Sequence, residues 1–206
     1  MTKIFPHLPP SAAQCRLARL LFVAIEHHNL NEVFRLAPLI EELDRHTNDF
    51  LDETPLLHAA RQDLSCSAFK LLLARSDPRK KNSDNATALI LAAWGHQPHT
   101  AELVRLLLPL SDPLAPKKDG GSALHCAIEV ADVLLAAGNA ESLPLLLPTS
   151  DLTQRNHDGL TPLEFAQHAS ERAVTLILGE MARRDALDIS MASAPAVAGG
   201  ALARRL

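Results

Sequence analysis

Aromatic residues are scarce in this chain: they make up 3% of its 206 residues, with no tyrosine and a single tryptophan, Trp94. A core of large rings is excluded, so Leu, Ala, Val and Ile must fill it, the small-residue packing expected of stacked helix pairs. Cysteine is almost as rare. Cys15, Cys66 and Cys126 form an odd set at unrelated spacings, which argues against a disulfide framework and for reduced thiols in a cytoplasmic setting. No apolar run approaches the roughly eighteen residues that span a bilayer, so no membrane role is expected. The first ten residues carry three prolines and no apolar core of signal-peptide length. Basic residues are not in excess either, and a net charge of -4 speaks against nucleic acid as a partner. What the chain has is apolar surface to bury. A hydrophobic content of 47% rules out disorder of the whole.

The heptad Leu-Leu-Leu-x-x-Ser-Asp occurs three times, at Leu71 to Asp77, Leu106 to Asp112 and Leu145 to Asp151. Each copy is followed ten residues later by Thr87, Ser122 or Thr161, the start of a Thr/Ser-x-Leu triplet that Thr54 also opens. The spacing between starts is 33, 35 and then 39 residues, while the ten-residue connector stays constant. A period that drifts within units but is fixed between them marks a repeat array whose units join through a constrained element. The body is expected at 12–187, as a capping unit 12–43 and repeats at about 44–76, 77–111, 112–150 and 151–187. Residues 1–11 and the small-residue-rich 188–206 are expected as disordered tails.

Within a unit, the hydroxyl residue caps a first helix and proline, as in Thr54-Pro55 and Thr161-Pro162, takes the first turn, where no amide partner is needed. Ala59-Ala60, Ala92-Ala93, Ala127 and Ala166 follow where a neighbouring helix must come close. A second helix carries the Leu triplet into the core, closed by Pro109 and Pro148 in two units. The connectors end in Leu51-Asp52, Asp84-Asn85, Asp119-Gly120 and Asp158-Gly159, pairs that favour turns, three of which accept a left-handed backbone. The longest unit carries its excess after Ala127, where Glu129 to Gly138 either prolongs the first helix or adds an excursion.

These residues resemble the ankyrin repeat family, whose Asp-Gly-x-Thr-Pro-Leu-His, paired alanines and double Leu recur in each unit. Asp158-Gly-Leu-Thr-Pro-Leu163 carries the likeness most fully, then Asp119-Gly-Gly-Ser-Ala-Leu-His125. It covers roughly Asp44 to Ala186, with a weaker first unit at Arg19 to Leu43. Ser76, Ser111 and Ser150 replace the family's Gly-Ala, and Leu57, Ile90 and Glu164 stand in place of its His. The resemblance, to bacterial-type members in particular, implies an all-α helical repeat solenoid with short β-hairpin connectors. It also implies protein partners bound on the concave inner helices and hairpin tips. Carried over by position, the concave residues are Glu26 and His27, Arg61 and Gln62, Trp94 and Gly95, Glu129 and Val130, His168 and Ala169.

Trp94 is either an exposed anchor, the residue type most enriched in binding hot spots, or local core packed over Pro98. The connectors add Arg79, Lys80 and Lys81, then Lys117 and Lys118, then Arg155 and His157, with Arg45 and His46 in the first unit. On hairpins these line one edge, which is either a basic strip for an acidic partner surface or a solvated rim.

Catalytic patterns are weak. His96 and His99 have a spacing that could hold a metal, but Pro98 breaks the helix that would align the rings. Cys126 sits at an apolar helix position and reads as a buried small hydrophobe, and His58 and His125 brace neighbouring turns. Gly120-Gly121 is not followed by Gly-Lys-Ser/Thr, and neither Gly-x-Ser-x-Gly nor His-Glu-x-x-His occurs. The chain is therefore read as a non-enzymatic, cofactor-free binding module, a monomer when free, that inhibits or scaffolds one protein in the manner of an immunity protein. The alternative is an adaptor or secreted effector that recruits a foreign host protein. An enzyme built around Glu129 and Asp132 is the reading from a different class.

Overall fold

The structure is a computed structural model that describes residues 11–45, 47–48, 51–95, 99–131 and 141–193. The segments 1–10 and 194–206 of the expected tails, His46, His96 to Pro98 and Asp132 to Gly138 of the insertion lie outside the described residues. Ten α-helices are seen among the described residues: α1 (Ala12–Glu26), α2 (Leu30–Leu36), α3 (Pro55–Arg61), α4 (Cys66–Leu73), α5 (Ala88–Ala93), α6 (Thr100–Leu107), α7 (Ala123–Glu129), α8 (Ser142–Leu146), α9 (Pro162–Ala169) and α10 (Glu171–Ser193). The odd-numbered helices α1, α3, α5, α7 and α9 pack in succession as an inner layer, and α2, α4, α6 and α8 do the same outside.

The inner helices start where hydroxyl caps place them. Thr54, Thr87 and Thr161 each accept the amide three residues on, at 3.4, 3.4 and 3.3 Å. Thr161 adds the reciprocal bond of a capping box, its own amide donating to Glu164 at 2.8 Å. The alanine pairs sit at the layer contacts: Ala59, Ala60, Ala92, Ala93, Ala127 and Ala166 are all buried. Without side-chain bulk there, inner helices pack closely. The Leu triplets of the outer helices close over this layer, with Leu72, Leu107, Leu146 and Leu147 fully or almost fully buried.

Proline ends the outer helices as expected. Pro38, Pro109 and Pro148 lie in 3-10 turns at Ala37–Leu39, Leu108–Leu110 and Leu147–Thr149 that continue α2, α6 and α8. Freed carbonyls need donors, and arginines of the following unit supply them in two cases. Arg75 donates to the carbonyls of Ala37 and Ile40, and Arg184 to those of Leu147 and Ser150, the latter at 2.6 and 3.0 Å. Glu180, bonded to both Arg183 and Arg184, holds the second guanidinium in place. Its carboxyl is drawn down to about 2, chiefly by Arg183, against a smaller opposing effect of burial.

Three expectations are corrected by the fold. The connectors are not β-hairpins: among the described residues the only strand-like pairing is a single bridge between Lys81 and Thr87. Each of the last three connectors is closed by two backbone bonds: the amides of Asn85, Gly120 and Gly159 donate to the carbonyls of Asn82, Lys117 and Asn156, and the amides of Asn82, Lys117 and Asn156 donate to the carbonyls of Ala86, Gly121 and Leu160. The next residue already caps a helix, so no length remains for a second strand. Left-handed backbone occurs at all four turn ends, Asp52 (φ +53°), Asn85 (φ +60°), Gly120 (φ +74°) and Gly159 (φ +76°), rather than at three. The first helix of the longest unit is not prolonged, because α7 ends at Glu129 with Val130 as its cap. The last helix, in turn, runs from Glu171 to Ser193.

The turns are joined from unit to unit. Ser83, Lys118 and His157 each donate an amide to the preceding connector, at Leu51, Asp84 and Asp119, over 2.9, 2.9 and 2.6 Å. This ladder explains the constant connector length. Inserting a residue would break two bonds at once, whereas residues added between the paired helices break none.

Candidate concave binding site

The inner helices deliver their C-terminal ends to one side of the array. Glu26, Arg61 and Glu129 are the last residues of α1, α3 and α7, Trp94 caps α5, and His168 is the penultimate residue of α9. Glu26, His27, Glu129 and His168 are exposed, Arg61, Gln62 and Ala169 half-buried, and Gly95 and Val130 buried. Gly95 has no room for more. A Cβ there would meet the hydroxyl of Thr100 at 2.8 Å.

Trp94 is 41% exposed and stands between two contiguous depressions. The first, about 620 Å³, is bounded by His28, Leu30, Arg61, Gln62, Asp63, Leu91 and His99 around the ring. The second, about 460 Å³, lies toward the connectors, between Arg61, Leu91 and Trp94 on one side and Asn82, Lys117 and Lys118 on the other. Arg61, Leu91 and Trp94 are common to both. The Lys117 ammonium lies 5.5 Å from the centroid of the Trp94 ring and 2.8 Å from Asp119 Oδ2. Burial is the largest single effect and opposes the Lys117 charge, but the hydrogen bond to Asp119 and the neighbouring negative groups, Asp119 and Glu129 among them, together outweigh it and hold the ammonium above its ordinary pKa.

Lys117 therefore does not belong to an exposed edge. It occupies the position of Asn82 and Asn156, whose side chains bond their own turns: Asn82 accepts the amides of Asp84 and Ala86, and Asn156 that of Leu160. In the repeat at 112–150 Asp119 takes over the turn bond, accepting the Gly121 amide at 2.9 Å, which leaves Lys117 to reach Trp94. Arg155 is also engaged, paired with Glu164 at 2.9 Å and bonded to the carbonyl of Gly159. Lys80, Lys81, Lys118 and His157 are exposed, and among the described residues Lys80, Lys81 and Lys118 have no ion-pair partner.

A buried carboxylate escaped the sequence reading. Glu53 accepts from Arg61 Nε at 2.6 Å, approaches His58 Nδ1 at 3.2 Å and is flanked by Asn48 and Asn82 at 3.3 and 3.5 Å. Burial opposes its ionisation, yet the bonds from His58 and Arg61 together hold the carboxyl below its ordinary value. This network sets the angle at which Arg61 enters both depressions. The signal was present: Glu53 precedes the helix cap where the other units carry Ala86, Gly121 and Leu160, and a charge at an apolar repeat position implies a partner.

Ser122 Oγ lies 3.0 Å from His125 Nδ1, a distance found between nucleophile and base. Both are buried, and the ring also accepts from the Ser122 amide while its other nitrogen meets the Leu160 carbonyl at 3.4 Å. The pair is a helix cap. Burial holds the ring below its ordinary pKa, with the Leu160 carbonyl opposing. The Cys126 thiol, also buried, is pushed up to about 12 by the same desolvation. Among the described residues no group of three or more His, Cys, Asp or Glu is arranged for a metal, and no helix is long and apolar enough to cross a membrane.

The family model described as Ankyrin repeats (3 copies) matches residues 21–110 and again 65–140. No curated protein matches the chain. Ankyrin repeats are in general protein–protein interaction modules and are typically non-enzymatic. The two matches together run from residue 21 to residue 140, more than half of the 206-residue chain, and the stacked helix pairs continue beyond them through α9 and α10: the chain belongs to the ankyrin repeat family.

Proposed function

We propose that the chain binds one protein partner through its concave face and acts by occlusion or scaffolding, without catalysis. The observation that carries this reading is Trp94, exposed between two depressions and held by Lys117. A rigid, partly desolvated aromatic anchor flanked by Arg is the make-up of a binding hot spot. Gln62 lines the first depression, while Glu129 and His168 extend the exposed row along α7 and α9. Lys80, Lys81, Lys118 and His157 on the turns suit an acidic rim on the partner and would speed encounter. Half-buried Cys15 and Cys66 and buried Cys126, none of them in a disulfide, suit a cytoplasmic setting.

Affinity capture with the intact chain and with Trp94→Ala tests the proposal. A partner retained by the first should be lost or weakened by about 2 kcal/mol or more with the second, at an unchanged melting temperature. Equal retention by both would remove the concave face from the reading. Exchanging Lys80, Lys81 and Lys118 for Glu should slow association at low salt and leave dissociation nearly unaltered.

A further inference from the structure

The last helix outruns the array it closes. The outer helices α2, α6 and α8 stop at proline turns, but α10, packed on α9 and on the turn after α8, has no proline. Its array-facing residues recur at alternating steps of four and three: Ala173, Ile177, Glu180, Arg184, Leu187 and Met191. Ala173, Ile177 and Glu180 are buried, and Arg184 bonds the carbonyls of Leu147 and Ser150 at the end of that turn. Past this point the same face opens: Leu187 is 49% exposed and Met191 78%. From Asp185 to Ser193 the helix has two acids, Asp185 and Asp188, and no base, while Arg183 and Arg184 are both taken by Glu180. The overhang is therefore an apolar face with an acidic edge. Two overhangs would repel each other, for their contact gathers the carboxylates of both.

Its complement lies on the concave side. The second depression is lined by apolar Leu51, Leu91 and Trp94, with Lys117 and Lys118 on its connector side. Asp84 and Asp119 also line it, but Asp119 is taken by Lys117, and the exposed Lys80, Lys81 and Lys118 give the rim a basic surplus over Asp84. We propose that the overhang of α10 seats in this depression of a second copy of the chain, with Leu187 and Met191 against Trp94 and Asp188 beside Lys118. Asp188 stands three residues before Met191, so the two share a side of the helix. The thioether of Met191 adapts to an aromatic ring. The inference rests on the concave face being the binding surface and adds its regulation: a chain so engaged has its anchor covered, and a partner protein must displace the helix end. Mutual exchange of overhangs closes a dimer, in place of the free monomer expected from the sequence.

The test uses the intact chain with no other protein present, followed by sedimentation and by Trp94 emission from micromolar to millimolar concentration. The mass should rise and the emission shift blue in step, because the lone indole lies in the contact. Met191→Ser and Asp188→Lys should each weaken association by about tenfold at an unchanged melting temperature, since both side chains are exposed. Adding Lys118→Glu to Asp188→Lys should restore much of the loss, which a merely structural role would not. A single mass with constant emission over the whole range would overturn the proposal. Association undiminished in Met191→Ser and Asp188→Lys would place the contact elsewhere and overturn it equally. Either result leaves the concave reading standing, because that reading is decided separately by capture of a partner with Trp94→Ala.

Discussion

Lys117 places its ammonium 5.5 Å from the centroid of the Trp94 ring while bonding Asp119 at 2.8 Å. A connector of the repeat at 112–150 thereby fixes the lone tryptophan, which belongs to the repeat at 77–111. Held in this way, the ring would spend little side-chain freedom in the binding proposed for it.

Trp94 is also the only indole in the chain, so its emission reports this contact alone. Lys117→Met should change the emission intensity and raise acrylamide quenching, with the fold intact by circular dichroism. An identical quenching constant in the two proteins would mean that Lys117 does not hold the ring.

Glu53→Gln should destabilise the chain by about 2 kcal/mol, since Arg61 and His58 lose a charged acceptor in a buried setting. The pH dependence has a definite sign. The folded carboxyl sits below its ordinary value of 4.5, so its stabilisation is complete above that pH and is lost as pH falls through the folded value. Urea midpoints from pH 7 downward should show the wild type losing stability in acid more steeply than Glu53→Gln. Parallel curves would assign the acid loss to other carboxylates, Glu180 first among them.

Gly120 and Gly159 share the left-handed conformation but not the surroundings. At Gly120 a Cβ would come within 3.1 Å of the His157 amide nitrogen, whereas at Gly159 nothing lies within 4 Å. Alanine at Gly159 should cost about 1 kcal/mol, the left-handed strain alone. Gly120→Ala should cost clearly more, because it also displaces the His157–Asp119 rung of the ladder. Equal losses in chemical denaturation would show that the ladder yields freely.

Cys126 should resist thiol reagents at pH 8 until the chain unfolds, because the buried thiol titrates near 12 and the thiolate is the reactive form. Timed labelling with mass spectrometry should find Cys15 and Cys66 modified first. Prompt labelling of Cys126 in the native state would reveal opening of α7.

The repeat was legible because its determinants are local. A hydroxyl cap, a first-turn proline, an alanine pair and a leucine triplet each act within a few residues, and their recurrence exposed the period, the helix pairs and the family. The hairpin expectation, carried by the family resemblance, failed for a reason that is also local: in each connector, the residue after the closing bond already belongs to a helix cap. The recurrence of the inner-helix ends followed from the register of the helices. What each side chain does there did not.

Lys117 and Lys118 are neighbours of the same type, yet one folds inward against Trp94 and the other stays on the rim. Glu53 and Arg61 are eight residues apart and meet at 2.6 Å only because α3 turns Arg61 back over its own start. The chain by itself determined where helices begin, end and repeat, since capping, proline geometry and hydrophobic periodicity are short-range effects. Only the stacking of units decided which charges are consumed within the array and which remain for a partner, because those pairings join connectors to helices and to the next unit.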